Sequence, residues 1–187
     1  MGIEKTTVNL GFLGYGYWGP NVLRNFYQNP RAKILSAYDS DATNARRLQE
    51  DYPTIDVGAT LDEIIDDPAI EAVGIATPAS THYELARRAL DANKHVFVEK
   101  PIALAVEEAE RLIKLAAERG RVLMVGHIYK YNVAVQKVKE LIDRGDLGTI
   151  QYARSNRTSL GPRIRTDVNV VWDYAIHGLL STWLRTQ

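Results

Sequence analysis

Short apolar runs alternate with helical patterns along the first two thirds of the chain. The runs are nearly continuously apolar, which is typical of strands covered by helices on both faces. Five strands are predicted, at Val8–Leu13, Lys33–Tyr38, Ala72–Ala76, His95–Glu99 and Val122–Gly126. Helices are predicted between them, at Asn21–Gln28, Ala42–Glu50, Leu61–Asp66, Tyr83–Ala92 and Val106–Arg119. This alternation predicts βαβ units and an α/β fold with a doubly wound parallel sheet.

The pattern changes after Gly126. Apolar residues on one face predict a helix over Asn132–Arg144, and polar–apolar alternation predicts a strand over Thr149–Arg157. A last helix is predicted at about 171–185. We therefore expect two domains, residues 1–126 and residues 127–187, of which the second is the incomplete beginning of a further α/β domain.

Composition excludes several classes of function. The 187 residues carry a formal net charge of +0, which gives no electrostatic reason to bind nucleic acid or an anionic membrane. The sequence has no cysteine, and its four histidines form no H-x-x-x-H pair, so no metal site is predicted. No apolar run resembles a signal peptide or is long enough to span a bilayer, and a cytoplasmic location is expected by default.

A glycine run, Gly14–Gly19, follows the first predicted strand and precedes a helix. Gly14 would allow a tight turn, Gly16 a close approach of backbone to phosphate, and Gly19 close packing of the helix. We expect this run, including Tyr17 and Trp18, to line the pyrophosphate of a dinucleotide at the helix N-terminus. A plain glycine-rich turn between a strand and a helix is the alternative.

Asp39 ends the second predicted strand, twenty positions after Gly19. A carboxylate there accepts hydrogen bonds from the adenosine ribose and repels a 2′-phosphate, so NAD is predicted over NADP. The alternative is a turn or capping residue in Tyr-Asp-Ser-Asp. Arg46 and Arg47 lie too far into the following helix to be assigned a phosphate contact.

Two further strands end in polar residues at the edge where open α/β sheets hold ligands. Thr77-Pro78 could line the cofactor, although a loop proline fits equally. Glu99-Lys100-Pro101 follows the next strand, and Glu99 is also expected near the cofactor. Lys100 can donate to a substrate oxygen and stabilise developing negative charge, whereas an isolated lysine is usually a solvated surface residue.

Asp173 and His177 are four residues apart in the last predicted helix, so they share a face bordering its apolar stripe. A carboxylate beside a histidine orients the ring and raises its basicity, as a general base requires. A helix-surface pair is the alternative.

Together these motifs resemble the glucose–fructose oxidoreductase / inositol dehydrogenase / MocA family. The matching residues are the run from Gly14, Asp39, Thr77-Pro78, Glu99-Lys100-Pro101, Gly126-His127 and Asp173-x-x-x-His177. Their order and spacing are much more specific than any single motif. Residues 157–162 and 167–173 further resemble a subset that acts on nucleotide-linked or amino sugars.

The resemblance implies an N-terminal Rossmann domain that binds NAD or NADP, followed by a sugar-binding α/β domain that usually forms the oligomer contact. It implies that His177 takes a proton from a sugar hydroxyl while hydride passes to the nicotinamide, and that Lys100 holds the same oxygen. Lys100, Asp173 and His177 match the family's catalytic positions.

Two departures from the family pattern matter. Gly178 replaces the acidic residue that commonly follows the histidine, and family members run to nearly twice this length. We therefore expect a chain without the complete sugar-binding sheet. Its last apolar stripe must then pack on the Rossmann domain, associate with a second copy or stay exposed. A dinucleotide-binding module or remnant without turnover is the alternative to a sugar or polyol oxidoreductase.

Overall fold

The computed structural model describes residues 7–152, 154 and 156. The chain divides into two compact units, with the division between Val125 and Gly126. This division falls beside the boundary predicted from the pattern. The identity of the second unit as the beginning of a substrate domain stays a prediction.

The first unit is built on a parallel sheet of six strands. The strands are β1 Val8–Leu13, β2 Ala32–Tyr38, β3 Asp56–Val57, β4 Ala72–Ile75, β5 His95–Val98 and β6 Leu123–Val125. Their order across the sheet is β3-β2-β1-β4-β5-β6. The chain thus runs outward from β1 on one side and, after crossing over, outward from β4 on the other. The carboxyl ends of β1 and β4 flank the switch point, where such sheets bind ligands.

Helices connect the strands. In the first unit they are α1 Gly19–Tyr27, α2 Ala42–Asp51, α3 Asp62–Ile65, α4 Ala79–Asp91 and α5 Val106–Glu118. The second unit, as far as it is described, contains a 3₁₀ helix over Ile128–Tyr131 and α6 over Val133–Asp143. The Asp41 side chain caps α2 by accepting from the N–H groups of Thr43 and Asn44, as a residue preceding a helix is expected to do.

Two apolar clusters form the core of the first unit, and β1 contributes to both because alternate side chains of a strand face opposite sides. Leu10 and Phe12 pack with Leu23 of α1 and Leu48 of α2. Leu13 packs in the other cluster, which is completed by α3, α4 and α5. Helices therefore cover both faces, and the predicted doubly wound parallel sheet is confirmed.

Most predicted limits lie within two residues of the observed ones, and the larger differences include the following three. β3 was not predicted, because two residues carry no periodic signal. α4 begins at Ala79 rather than Tyr83, directly after Pro78, whose fixed backbone angle is compatible with a helix start. The strand predicted over Thr149–Arg157 is wrong in its described part, since residues 149–152, 154 and 156 belong to no strand. Alternation alone does not make a strand unless a partner is available for pairing.

Among the described residues, every helix is too short or too polar to traverse a lipid bilayer.

Candidate functional site

The glycine loop forms a sharp turn between β1 and α1. Gly14 has φ +96, and a Cβ on it would lie 2.7 Å from the backbone carbonyl of Ala76, closer than atoms can pack. A Cβ on Gly19 would lie 2.2 Å from the Gly14 oxygen. The fold itself therefore requires glycine at both positions.

Gly16 differs from Gly14 and Gly19, the other two glycines of the run. A Cβ built there meets nothing within 4 Å, so packing against the protein does not require glycine at this position. The first turn of α1 has no acidic residue and no side-chain cap, which leaves the positive end of the helix available to an anion. The loop thus has the open backbone that a dinucleotide pyrophosphate needs, and it fits that group.

Asp39 follows β2 and lies beside the glycine loop. Its Oδ2 accepts from the backbone N–H of Tyr15 at 2.6 Å, and its Oδ1 accepts from the N–H of Asp41 at 2.8 Å. The Asn44 amide lies 3.3 Å from the same Oδ1. These three contacts orient the carboxylate, which has about four acceptor positions and so keeps about one for a ribose hydroxyl. Asp39 is thus also the turn residue that the alternative interpretation described.

The turn after β4 carries Thr77 and Pro78, and α4 begins directly after it. The hydroxyl oxygens of Thr77 and Thr81 lie 2.7 Å apart, and the Thr81 hydroxyl donates to the Pro78 carbonyl at 2.7 Å. The N–H of Ala76 donates to the Leu13 carbonyl at 2.8 Å, so this turn leaves the sheet beside the glycine loop. The predicted placement of Thr77-Pro78 at the ligand edge agrees with this geometry, while its contact with a cofactor stays a prediction.

Glu99 lies one residue past β5, and its backbone N–H donates to the Ile75 carbonyl at 2.9 Å. Only 8% of the residue is exposed. Its carboxylate accepts from the Lys100 backbone N–H at 3.3 Å and from the side chain of Trp18. Burial raises the pKa of the Glu99 carboxyl, although these hydrogen bonds oppose the shift. Glu99 therefore links the end of β5, which is followed by Lys100, with Trp18 at the start of α1.

Lys100 is half-buried and follows Glu99 at the same edge, with a cis peptide to Pro101. Asp173 and His177 lie outside the described residues, so their predicted catalytic roles stay predictions. Gly126-His127 begins the second unit. Among the residues that the structure describes, no cluster of three or more histidine, cysteine or acidic side chains could hold a metal ion.

Sequence reasoning missed His82, which is 1% exposed in α4. Its Nδ1 lies 2.6 Å from the Pro101 carbonyl oxygen, and its Nε2 lies 2.9 Å from the Thr77 carbonyl oxygen. The ring thus bridges the turns that follow β4 and β5. A signal was present, because His82 is spaced with the buried Ala86 and Ala89 as one face of a helix. The predicted helix began at Tyr83, one residue after His82, and so left it out.

A parallel sheet in this order, with a glycine loop at the switch point and a carboxylate after β2, defines a dinucleotide-binding Rossmann domain. Residues 8–127 match the GFO_IDH_MocA family model, described as an oxidoreductase family with an NAD-binding Rossmann fold. The chain belongs to this family, and the resemblance seen in its motifs is confirmed.

Named relatives extend the comparison. The chain is 33% identical over 162 residues to scyllo-inositol 2-dehydrogenase (NADP(+)) of Bacillus subtilis, covering 85% of this chain and 44% of that protein. It is 32% identical over 184 residues to UDP-N-acetylglucosamine 3-dehydrogenase of Acidithiobacillus ferrooxidans, covering 94% and 53%. The crystal structure of GenD2 from gentamicin A biosynthesis in complex with NAD has 29% identity and a TM-score of 0.71, covering 75% of this chain and 40% of that one. The chain spans about half the length of the curated relatives it matches.

Glu99→Gln tests the burial of the carboxylate. A carboxyl whose pKa is raised by folding binds more protons when folded, so its contribution to stability is largest below the unfolded value, about 4.3, and falls as pH rises through the folded value. The variant cannot ionise, so its melting temperature should exceed that of the wild type at pH 8 by more than at pH 4. Each kcal/mol corresponds to roughly 2–4 °C in a chain of this size.

The control is Glu110→Gln, which replaces an exposed glutamate of α5. Circular dichroism melts at both pH values provide the measurement. An equal shift for Glu99→Gln at the two pH values would contradict the role of burial.

Proposed function

We propose that this chain binds NAD and serves in hydride transfer between the nicotinamide and a hydroxyl-bearing or ketone carbon of a sugar or polyol. The observation that carries the proposal is the open space at Gly16, in a loop whose other two glycines, Gly14 and Gly19, are required by packing. A bound nicotinamide would supply the hydride acceptor or donor, which the side chains of the protein lack.

Asp39 supports NAD rather than NADP as the preferred cofactor. Its carboxylate is held 2.6 Å from the Tyr15 N–H, at the loop end where the adenosine ribose of a Rossmann cofactor binds. A negative charge at this point attracts ribose hydroxyls and repels a 2′-phosphate. One relative is named for NADP and one similar structure contains NAD, so both cofactors occur among similar proteins.

Lys100 is the proposed donor to the substrate oxygen. It follows β5 at the edge that carries the glycine loop, and its ammonium group would stabilise negative charge on that oxygen as hydride moves. By family resemblance, Asp173 orients His177, and His177 exchanges the proton of the substrate hydroxyl.

The substrate class rests on the relatives, which are named for inositol and for a nucleotide-linked sugar. We propose a sugar or polyol, with a nucleotide sugar as the finer proposal, and keep self-association of the chain as an expectation. A module that binds the dinucleotide without turnover is the second candidate, because the family model that matches residues 8–127 describes an NAD-binding Rossmann fold.

Gly16→Ala tests cofactor binding. The added methyl group meets no protein atom, so the melting temperature should stay near that of the wild type, but it occupies the space proposed for the pyrophosphate. The affinity for NAD, measured by quenching of tryptophan fluorescence, should fall at least about tenfold, or 1.4 kcal/mol.

Gly14→Ala provides the contrast, because a Cβ there collides with the Ala76 backbone and should lower the melting temperature. Binding of NAD by Gly16→Ala with wild-type affinity would contradict the proposed cradle.

Asp39→Ala tests the cofactor preference. The wild type should bind NAD more tightly than NADP, and the variant should narrow this gap because the repelling charge is removed. Titrations of both cofactors by calorimetry give the ratio of the two dissociation constants. Asp41→Ala, in the same turn, removes the cap of α2 and should leave that ratio unchanged. A wild type that prefers NADP would contradict the role given to Asp39.

Lys100→Met tests hydride transfer. NAD reduction should be followed with a panel of polyols and nucleotide sugars. With any active substrate, kcat should fall about 100-fold or more while NAD affinity is retained, since one donor to the developing negative charge is lost. Lys114→Met, which changes an exposed lysine of α5, is the control. Binding of NAD by the wild type without turnover on any substrate would favour the module that only binds.

A further inference from the structure

Tyr15 lies inside the glycine loop, yet it is only 1% exposed. Its ring packs in the core between β1 and α2, edge-on to Tyr52 with the ring centroids 6.3 Å apart. Its hydroxyl donates to Asp51 Oδ2 at 2.6 Å. Burial and the Asp51 carboxylate raise the pKa of the Tyr15 hydroxyl, which therefore stays a donor at neutral pH. A residue of the loop is thus anchored deep beside α2.

The side chain of Arg47, in α2, contacts the backbone of the same loop. Its Nη2 donates to the carbonyl oxygen of Tyr15 at 2.5 Å and to that of Gly16 at 3.1 Å. The guanidinium carbon lies 5.0 Å from the centroid of the Tyr15 ring, within range of a cation–π contact. With Asp39 on the Tyr15 N–H, the N–H, C=O and O–H groups of Tyr15 are all held by the segment from Asp39 to Asp51.

These two carbonyl contacts determine where the adjacent N–H groups point. The carbonyl of Tyr15 shares a peptide plane with the N–H of Gly16, and the carbonyl of Gly16 shares one with the N–H of Tyr17. Both peptides are trans, so each N–H points opposite to its carbonyl. Because both carbonyls face Arg47, the two N–H groups face away from α2.

We propose that Arg47, supported by Tyr15 and Asp51, positions the glycine loop so that the N–H groups of Gly16 and Tyr17 point toward the pyrophosphate. Arg47 is then a positioning residue that acts through the loop backbone. This inference rests on the proposed binding of NAD and extends it to Tyr15 within the glycine run and to Arg47 and Asp51 outside it. Because Arg47 holds the two N–H donors in place before the cofactor binds, less conformational entropy is lost on binding.

The test compares ligands with and without phosphates. Arg47→Met keeps most of the side-chain volume but removes the donors to the two carbonyls. Its affinities for NAD and ADP-ribose, measured by calorimetry, should both fall about tenfold, which corresponds to 1.4 kcal/mol. Binding of adenosine, which has no phosphate and is measured by NMR, should be unchanged. A purely structural role would weaken all three ligands.

Two further variants provide a control and a second, milder perturbation. Arg46→Met changes the neighbouring exposed arginine of α2 and should bind all ligands as the wild type does. Tyr15→Phe keeps the buried ring and loses only the bond to Asp51. It should weaken NAD and ADP-ribose about threefold, less than Arg47→Met does, and leave adenosine unchanged. It also tests the proposal if Arg47→Met fails to fold.

Each remaining outcome has a distinct meaning. Wild-type affinity for NAD in Arg47→Met, or equal losses for adenosine and ADP-ribose, overturns the positioning role while the proposed function stands. NADP is titrated in the same way, and a loss confined to NADP overturns it in favour of a direct contact between Arg47 and the 2′-phosphate. A wild type that binds neither NAD nor ADP-ribose overturns the proposed function, and the positioning role with it.

Discussion

The close approach of the Gly14 turn to the end of β4 is the constraint on which the first unit depends. The N–H of Gly14 donates to the Tyr38 carbonyl of β2 at 2.8 Å, while the place of its missing Cβ lies 2.7 Å from the Ala76 backbone. The turn is therefore wedged between the strands on either side of β1. Since α1 starts against the same turn, with Gly19 touching the Gly14 carbonyl, any larger residue would move the helix away from the sheet.

Polar side chains tie the segments of this edge to one another. His82 joins the turns after β4 and β5, Trp18 joins α1 to Glu99, and Arg47 joins α2 to the glycine loop. Each link crosses between elements that are separate in the chain. A ligand edge held in this way loses little conformational freedom on binding, which favours affinity without additional contacts.

Much of this architecture could be predicted from local patterns. Buried parallel strands and amphipathic helices each have their own periodicity, so alternating apolar runs were sufficient for the sheet and for most element limits. The glycine run and Asp39 could be paired by spacing, because a strand–turn–helix unit has a nearly constant length. Prediction failed for β3, which is too short to show a period, and for Thr149–Arg157, whose alternation found no pairing strand among the described residues.

The fold class, the glycine turn and the carboxylate that follows β2 could all be predicted from local sequence, because each depends on residues close together in the chain. That Gly16 is open while Gly14 and Gly19 are enclosed follows only from the folded arrangement of β1, β4 and α1. The same holds for the contact of Arg47 with Tyr15 and that of His82 with Pro101, whose members lie 32 and 19 residues apart along the chain. Such contacts depend on how helices cross the sheet, and no local period encodes that geometry.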